Sequence, residues 1–321
     1  MGFQGIYGHS KPVSILKNAM ARDRIAHALL FHGMEGIGKR TTASILARAV
    51  NCKAEDPPCD ACASCRKAEH RNHPNIITIR AEGQFIKISA VKELQSRMTV
   101  RPVEGKRVFI IEEADRLNAA AANALLKTLE EPSPGNILLL TTVRSHALPM
   151  TILSRCQHLR FTPLAREEVS RFLKEKEGLD DVAAEILAAS SGGSIGRAIE
   201  MKREDYLARR DGILDHLAQD DPADLLKRIA LAGRFGKERE EILEGLRILR
   251  VGYRDSLIFR ETRERERLMF RDRAGMIETI ADRLSGRDLL RNIAAVESAM
   301  GAIARNANKS LTLEAMLIKL A

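Results

Sequence analysis

One short segment limits the architectures open to this chain. Residues Gly33 to Thr41 read GMEGIGKRT, after the apolar run HALLF at His27–Phe31 and before the helical period of TTASILARAVNC. Strand, glycine loop and helix in that order are the setting of a phosphate-binding loop of pattern G-x-x-x-x-G-K-[ST]. Gly33, Gly36 and Gly38 let backbone N–H groups approach phosphate oxygens, and Lys39 supplies a cation. Arg40 stands where a small hydroxyl normally ligates magnesium, and Thr41 comes one residue late. The loop therefore implies a nucleotide-binding fold with a weakened metal site. Whether nucleotide occupies it is left open by the residues themselves.

Further strands read as NIITI (Asn75–Ile79), RVFII (Arg107–Ile111), NILLLTT (Asn136–Thr142) and HLRF (His158–Phe161). Continuous apolar strands alternating with helices predict an α/β fold with a parallel sheet covered on both faces. Ser10 is expected to cap a first helix with Pro12 in its first turn, and Pro132 to stop the helix AAAANALLKTLEEP. The third strand ends in Glu112 and Glu113, with Asp115 following, where a phosphate-loop protein places its metal and water-orienting carboxylates. Glu112 replaces the usual Asp. Two altered magnesium ligands, Arg40 and Glu112, argue against efficient hydrolysis.

Four of the five cysteines fall as Cys52, Cys59, Cys62 and Cys65, a C-x6-C-x2-C-x2-C cluster. Four thiolates complete a tetrahedral shell, so a closed structural zinc site is expected, without an open catalytic position. His70 and His73 are read as loop residues and Cys156 as a buried apolar residue. At 321 residues the chain calls for two or three domains. The net charge of +9 is compatible with nucleic acid nearby, while aromatic content of only 4% counts against base-stacking platforms. The run RETRERER (Arg260–Arg267) reads as a solvated helix face. No apolar run spans a bilayer, and MGFQGIYGHSK is unlike a signal peptide, so a cytoplasmic, non-membrane protein is expected.

The set GMEGIGKRT, the Cys cluster, RVFIIEEAD, NALLKTLEEP, LLLTT and ILSRC resembles the bacterial DNA polymerase III clamp-loader subunits of the AAA+ class. The resemblance covers roughly the first two hundred residues closely and the rest by helical pattern. Within that family, GKR, EE and the C-terminal NANKSLTLEAMLIKLA resemble the delta-prime kind more than the gamma/tau motor. The resemblance implies an AAA+ domain over 1–163 with a zinc module at 52–65, a helical lid over 164–204 and a helical collar over 205–321. It implies that Arg155 in LSRCQ is an arginine finger offered to a neighbour's ATP, that Glu113 is a Walker B relic, and that Thr142 and Arg197 sit at the two sensor positions. It also implies a hetero-oligomer with gamma/tau and delta subunits, indirect work on the sliding clamp, and contact with primer–template DNA. An active gamma/tau-like ATPase is the rival reading, and a stand-alone zinc-containing nucleic-acid binder a weaker third.

Overall fold

A computed structural model of the chain describes residues 2–320 apart from 101, 103, 104, 204, 220–228 and 230. The residues fall into two compact units, Met1–Gly178 with Ser191–Ala198, and Leu179–Ser190 with Ile199–Ala321.

The first unit is built on a five-stranded parallel sheet in the order β2-β3-β4-β1-β5. Its strands are β1 (Ala28–His32), β2 (Ile76–Ile79), β3 (Arg107–Ile111), β4 (Asn136–Thr142) and β5 (Gln157–Arg160). The helices in chain order are α1 (Ser10–Ala21), α2 (Lys39–Ala49), α3 (Ala63–Glu69), α4 (Ile88–Thr99), α5 (Ala119–Glu130), the short α6 (Met150–Leu153) and α7 (Arg166–Glu177). Burial follows the strand order. All seven residues of β4 are buried, which suits a central strand, whereas QHLR of β5 buries only Leu159 and lies at an edge. Side chains alternate between the faces of a strand, so each inner strand feeds two cores. Leu30, Phe109, Ile111, Leu138 and Leu140 pack with Val91, Leu94, Leu125 and Leu129 of α4 and α5. Leu29, Phe31, Val108, Ile110 and Leu139 pack instead with Leu16 of α1 and Ile45 and Leu46 of α2. The five-stranded parallel sheet with helices on both faces is the α/β architecture expected from the alternating strands and helices.

Parallel register brings the functional strand ends together. Ile79 pairs with Ile111, Ile111 with Leu140, and His32 with Thr142. The next residues along these strands, Gly33, Arg80, Glu112 and Val143, therefore emerge at one edge, where open parallel sheets place their ligands.

Two local expectations change. His9, in the left-handed region at φ 52°, occupies the cap position of α1, and no side-chain cap bond forms there. Ser10 is already helical, because Gly8 and His9 together make the turn into the helix. The helix that enters RETRERER stops at Thr262, with Arg263 left-handed at φ 58°. Leu268 and Phe270 are buried just beyond, so the chain turns back to bury them instead of continuing a solvated helix.

The second unit is helical: α8 (Asp181–Ser190), the later part of α9 (Ile195–Arg203), α10 (Tyr206–Gln219), α11 (Arg239–Thr262), α12 (Ala274–Arg283), α13 (Gly286–Ala304) and α14 (Lys309–Lys319). Glu238 and Glu241 form a reciprocal capping box at the start of α11, and Ser285 caps α13 by accepting from Asp288 N at 3.1 Å. Ile248, Leu249, Ile277, Ile280, Leu289 and Val296 are fully buried in this unit. Among the described residues no helix is long and apolar enough to cross a membrane.

Candidate functional site

The glycine loop runs from the end of β1 into α2. Gly33, Gly36 and Gly38 have φ of 147°, 72° and 102°, a region that disfavours side chains. A Cβ at Gly33 would lie 2.2 Å from Phe161 O, and one at Gly36 2.2 Å from Ser194 Oγ. A Cβ at Gly38 would meet nothing within 4 Å, so that glycine serves the backbone turn and faces open space. Lys39 is 7% exposed and donates to Gly33 O at 2.7 Å and Met34 O at 2.5 Å. Burial pulls its pKa down to about 8. His9 lies behind the loop, its Nε2 2.7 Å from Ile37 O. Burial lowers its pKa, so the ring stays neutral and Nε2–H is the donor.

At the end of β3, Glu112 is buried and paired with two guanidinium groups: Arg40 Nε lies 2.6 Å and Arg80 Nε 2.9 Å from its Oε2. Glu113 follows at φ 54° and takes Arg40 Nη2 at 3.2 Å and Arg116 Nη1 at 2.7 Å. Asp115 accepts from Thr142 Oγ1 at 2.8 Å and Arg144 Nε at 3.0 Å. Burial pushes its carboxyl upward, but those two donors outweigh it and hold the pKa below the usual range. Thr142 is thus turned toward Asp115, and Arg197 contributes a backbone N–H to Ser194 Oγ at 3.2 Å. Thr41 is exposed on α2.

Magnesium does not fit this arrangement. It demands near-octahedral oxygen ligation at about 2.1 Å. Position 40 offers a guanidinium instead of a hydroxyl, and both strand-end carboxylates already carry two guanidinium partners each. A dication placed there would face the positive charge of Arg40 directly.

Arg155 makes its contacts away from these groups. Its Nη2 pairs with Glu130 Oε1 at 2.7 Å, and its Nη1 donates to Thr151 O at 3.0 Å and Ser154 Oγ at 3.2 Å. Glu130 closes α5, so the helix and the loop after α6 aim this side chain together. Cys156 beside it is buried, and burial pushes its thiol up to about 11, which leaves it inert.

The other four cysteines converge. Their sulfur atoms all lie within 4.8 Å of one another. Zinc–sulfur bonds of about 2.3 Å in a tetrahedron set sulfurs about 3.8 Å apart, so the residues fit the ion with a small contraction. Backbone N–H groups already face the sulfurs: Cys59 N to Cys52 Sγ at 3.5 Å, Cys62 N to Cys59 Sγ and Cys65 N to Cys62 Sγ each at 3.4 Å. The last of these caps α3. Arg48 of α2 pairs with Asp60 at 3.0 Å, tying the cysteine loop to the helix after the glycine loop. His73 is engaged with Ser64 Oγ at 3.0 Å and His70 is exposed, so neither joins the cluster.

Arg80, Arg116, Glu130, Ser194 and His9 are functional neighbours that the sequence reading missed. Arg80 was detectable: it lies one residue past β2, level with Glu112 one residue past β3. The others depend on tertiary approach and left no spacing signal.

Residues 8–165 match the family model described as DNA polymerase III, delta subunit. The chain is 35% identical over 198 residues to DNA polymerase III subunit delta-prime of Bacillus subtilis, covering 61% of this chain and 60% of that protein. It is 32% identical over 207 residues to subunit tau of the same organism, covering 62% of this chain and 37% of that one. The matches therefore span less than two thirds of these relatives' own lengths. A DNA polymerase III gamma subunit-related protein from Thermotoga maritima superposes with a TM-score of 0.44 at 20% identity, over 94% of this chain and 97% of that one. Over these stretches the chain is similar to DNA polymerase III clamp-loader subunits of the delta-prime/gamma/tau-like kind.

Proposed function

We propose that this chain is a non-hydrolysing, delta-prime-like clamp-loader subunit that serves a neighbour's ATP instead of its own. The observation that carries this reading is the position of Arg40, whose guanidinium spans Glu112 and Glu113 where a motor would hold its metal. Glu113 is tied to Arg40 and Arg116 and is poorly placed to orient an attacking water. Arg155, in the loop after α6 and braced by Glu130, carries a planar fork of donors suited to the γ-phosphate of an adjacent gamma/tau-like subunit. Thr142 and Arg197 are then remnants of the sensor positions.

The rest of the assignment follows the family. The AAA+ domain covers 1–163, the lid 164–204 and the oligomerising collar 205–321; the boundary residue Glu204 lies outside the described residues. Zinc held by Cys52, Cys59, Cys62 and Cys65 acts as a structural cross-link of the 52–65 module. Delta and gamma/tau subunits and primer–template DNA are the partners, with the sliding clamp an indirect one, in the cytoplasm.

The rival reading, a gamma/tau-like ATPase, draws on Lys39 and the intact glycine backbone. ATP turnover separates the two, measured for this chain alone and for a loader reconstituted with its motor subunit. The isolated chain is expected to be inert, and Arg155→Ala to remove about 10³-fold of the hydrolysis at the one site it serves. Turnover by the isolated chain at the rate of the complex, or a complex indifferent to Arg155→Ala, overturns the proposal.

A further inference from the structure

The glycine loop is held in shape by its carbonyl oxygens. Lys39 takes Gly33 O and Met34 O. Ser194 Oγ donates to Glu35 O at 2.9 Å, Gly196 N to Gly36 O at 2.9 Å, and His9 to Ile37 O. Thr42 donates to Gly38 O through both its N–H and its Oγ1, each at 2.9 Å. Every carbonyl from Gly33 to Gly38 is thus satisfied from within the same compact unit. Gly33 N–H is itself spent on Thr142 O at 3.3 Å, and the remaining hydrogen-bonding capacity of the loop is the N–H groups after Gly33, which suit anions. The space over Gly38 is open.

Arg40 supplies what a metal would otherwise bring. Its ion pairs with Glu112 and Glu113 use Nε and Nη2 and leave the Nη1 donors for a phosphate oxygen. Its charge is fixed at every working pH, and its position is set by two carboxylates that are themselves braced by Arg80 and Arg116.

We propose that the loop binds the polyphosphate of a nucleotide without a divalent cation, with Arg40 as the built-in positive charge in magnesium's place. This rests on the reading of the chain as a non-hydrolysing subunit, but it concerns binding alone and owes nothing to Arg155.

The test is equilibrium binding of ADP, ATP and inorganic pyrophosphate to the full chain by titration calorimetry. One buffer is freed of divalent cations on a resin, the other carries excess magnesium chloride. EDTA is avoided because it would also attack a metal on the four cysteines. The dissociation constant of ADP is expected to agree within about threefold between the two buffers. Arg40→Thr, which restores a hydroxyl, is expected to lose about tenfold or more in metal-free affinity and to recover a dependence on magnesium. Lys39→Ala is expected to abolish binding in both buffers, and Arg155→Ala to change nothing. Pyrophosphate binding as tightly as ADP, or more weakly, supports the proposal in either case; the comparison shows how much the nucleoside adds. Wild-type binding that magnesium strengthens tenfold or more overturns it, as does binding that survives Lys39→Ala, or no binding of any of the three ligands. If Arg40→Thr fails to fold, as judged by circular dichroism, the wild-type comparison between buffers decides. Turnover in the reconstituted loader stays a separate readout, so either proposal can fail alone.

Discussion

The buried ammonium of Lys39 works against the fold that holds it. Its pKa falls from 10.5 to about 8, so at pH 7 the folded chain keeps a charge that burial penalises. Between pH 8 and 10.5 the folded state has released this proton while the unfolded chain still holds it, so the penalty fades as pH rises through that window. Lys39→Met relieves a penalty of about 1–3 kcal/mol at pH 7 but takes the donor from Gly33 O and Met34 O, so the Tm of the variant relative to wild type should fall as pH rises toward 10.5. It should also abolish phosphate binding. Arg210 is the opposite case. It is 2% exposed and donates to both oxygens of Asp272 at 2.9 and 2.6 Å, to Asp211 at 2.7 Å, and lies 5.3 Å from the centre of the Phe270 ring. Arg210→Ala takes the bidentate partner from Asp272, while Asp211 keeps Arg273, so a loss of about 3 kcal/mol is expected in denaturant unfolding of the helical unit. Neither effect was legible from composition. The phosphate loop named Lys39, but its energetic cost follows from burial, and Arg210 sits in a segment whose sequence shows only helical period.

Among the elements, α5 and the loop after α6 cooperate to point Arg155. Glu130 is half exposed, so its pair with Arg155 adds little stability, and its value lies in aim. Glu130→Ala should leave the Tm nearly unchanged, within about 0.5 kcal/mol of stability, yet reduce turnover of the reconstituted loader several-fold. Unchanged turnover would show that the pair does not position the finger. The cysteine module is a second such element. Purified protein should carry about one equivalent of zinc by elemental analysis, and a strong chelator should raise hydrogen exchange in α3 while the sheet strands stay protected. Protein free of metal in that assay would remove the zinc assignment. At this scale the sequence was a good guide where pattern is local: the strand runs, the cysteine spacing and the stop at Pro132 all reappear. It was a poor guide where packing decides. The helices over Ala63–Glu69 and Ile88–Thr99 were not anticipated, and RETRERER ended a helix because Leu268 and Phe270, a few residues on, had to be buried.

At the scale of the whole molecule, each compact unit carries its own core. Calorimetric unfolding is expected to depart from a single two-state transition. Lys39→Met should shift one component and Arg210→Ala the other; one cooperative transition moved by both variants would contradict this. The sequence pointed to a covered parallel sheet, yet the strand order β2-β3-β4-β1-β5 was not readable from it. Strand order depends on which helices cross which face, and many orders share the same run of strands and helices. The clustering of Arg40, Arg80 and Arg116 on Glu112 and Glu113 is a product of that order. It brings the ends of β2 and β3 side by side and α2 within reach of both.

The saturated carbonyls of the glycine loop have a kinetic consequence. A loop that must organise around its ligand loses conformational entropy on binding and slows association. Here that ordering is complete beforehand, through Lys39, Thr42, Ser194, Gly196 and His9. Capture of a polyphosphate should then proceed in one phase at a rate set by diffusion and by the positive field of the strand ends, with no slower closing step after it.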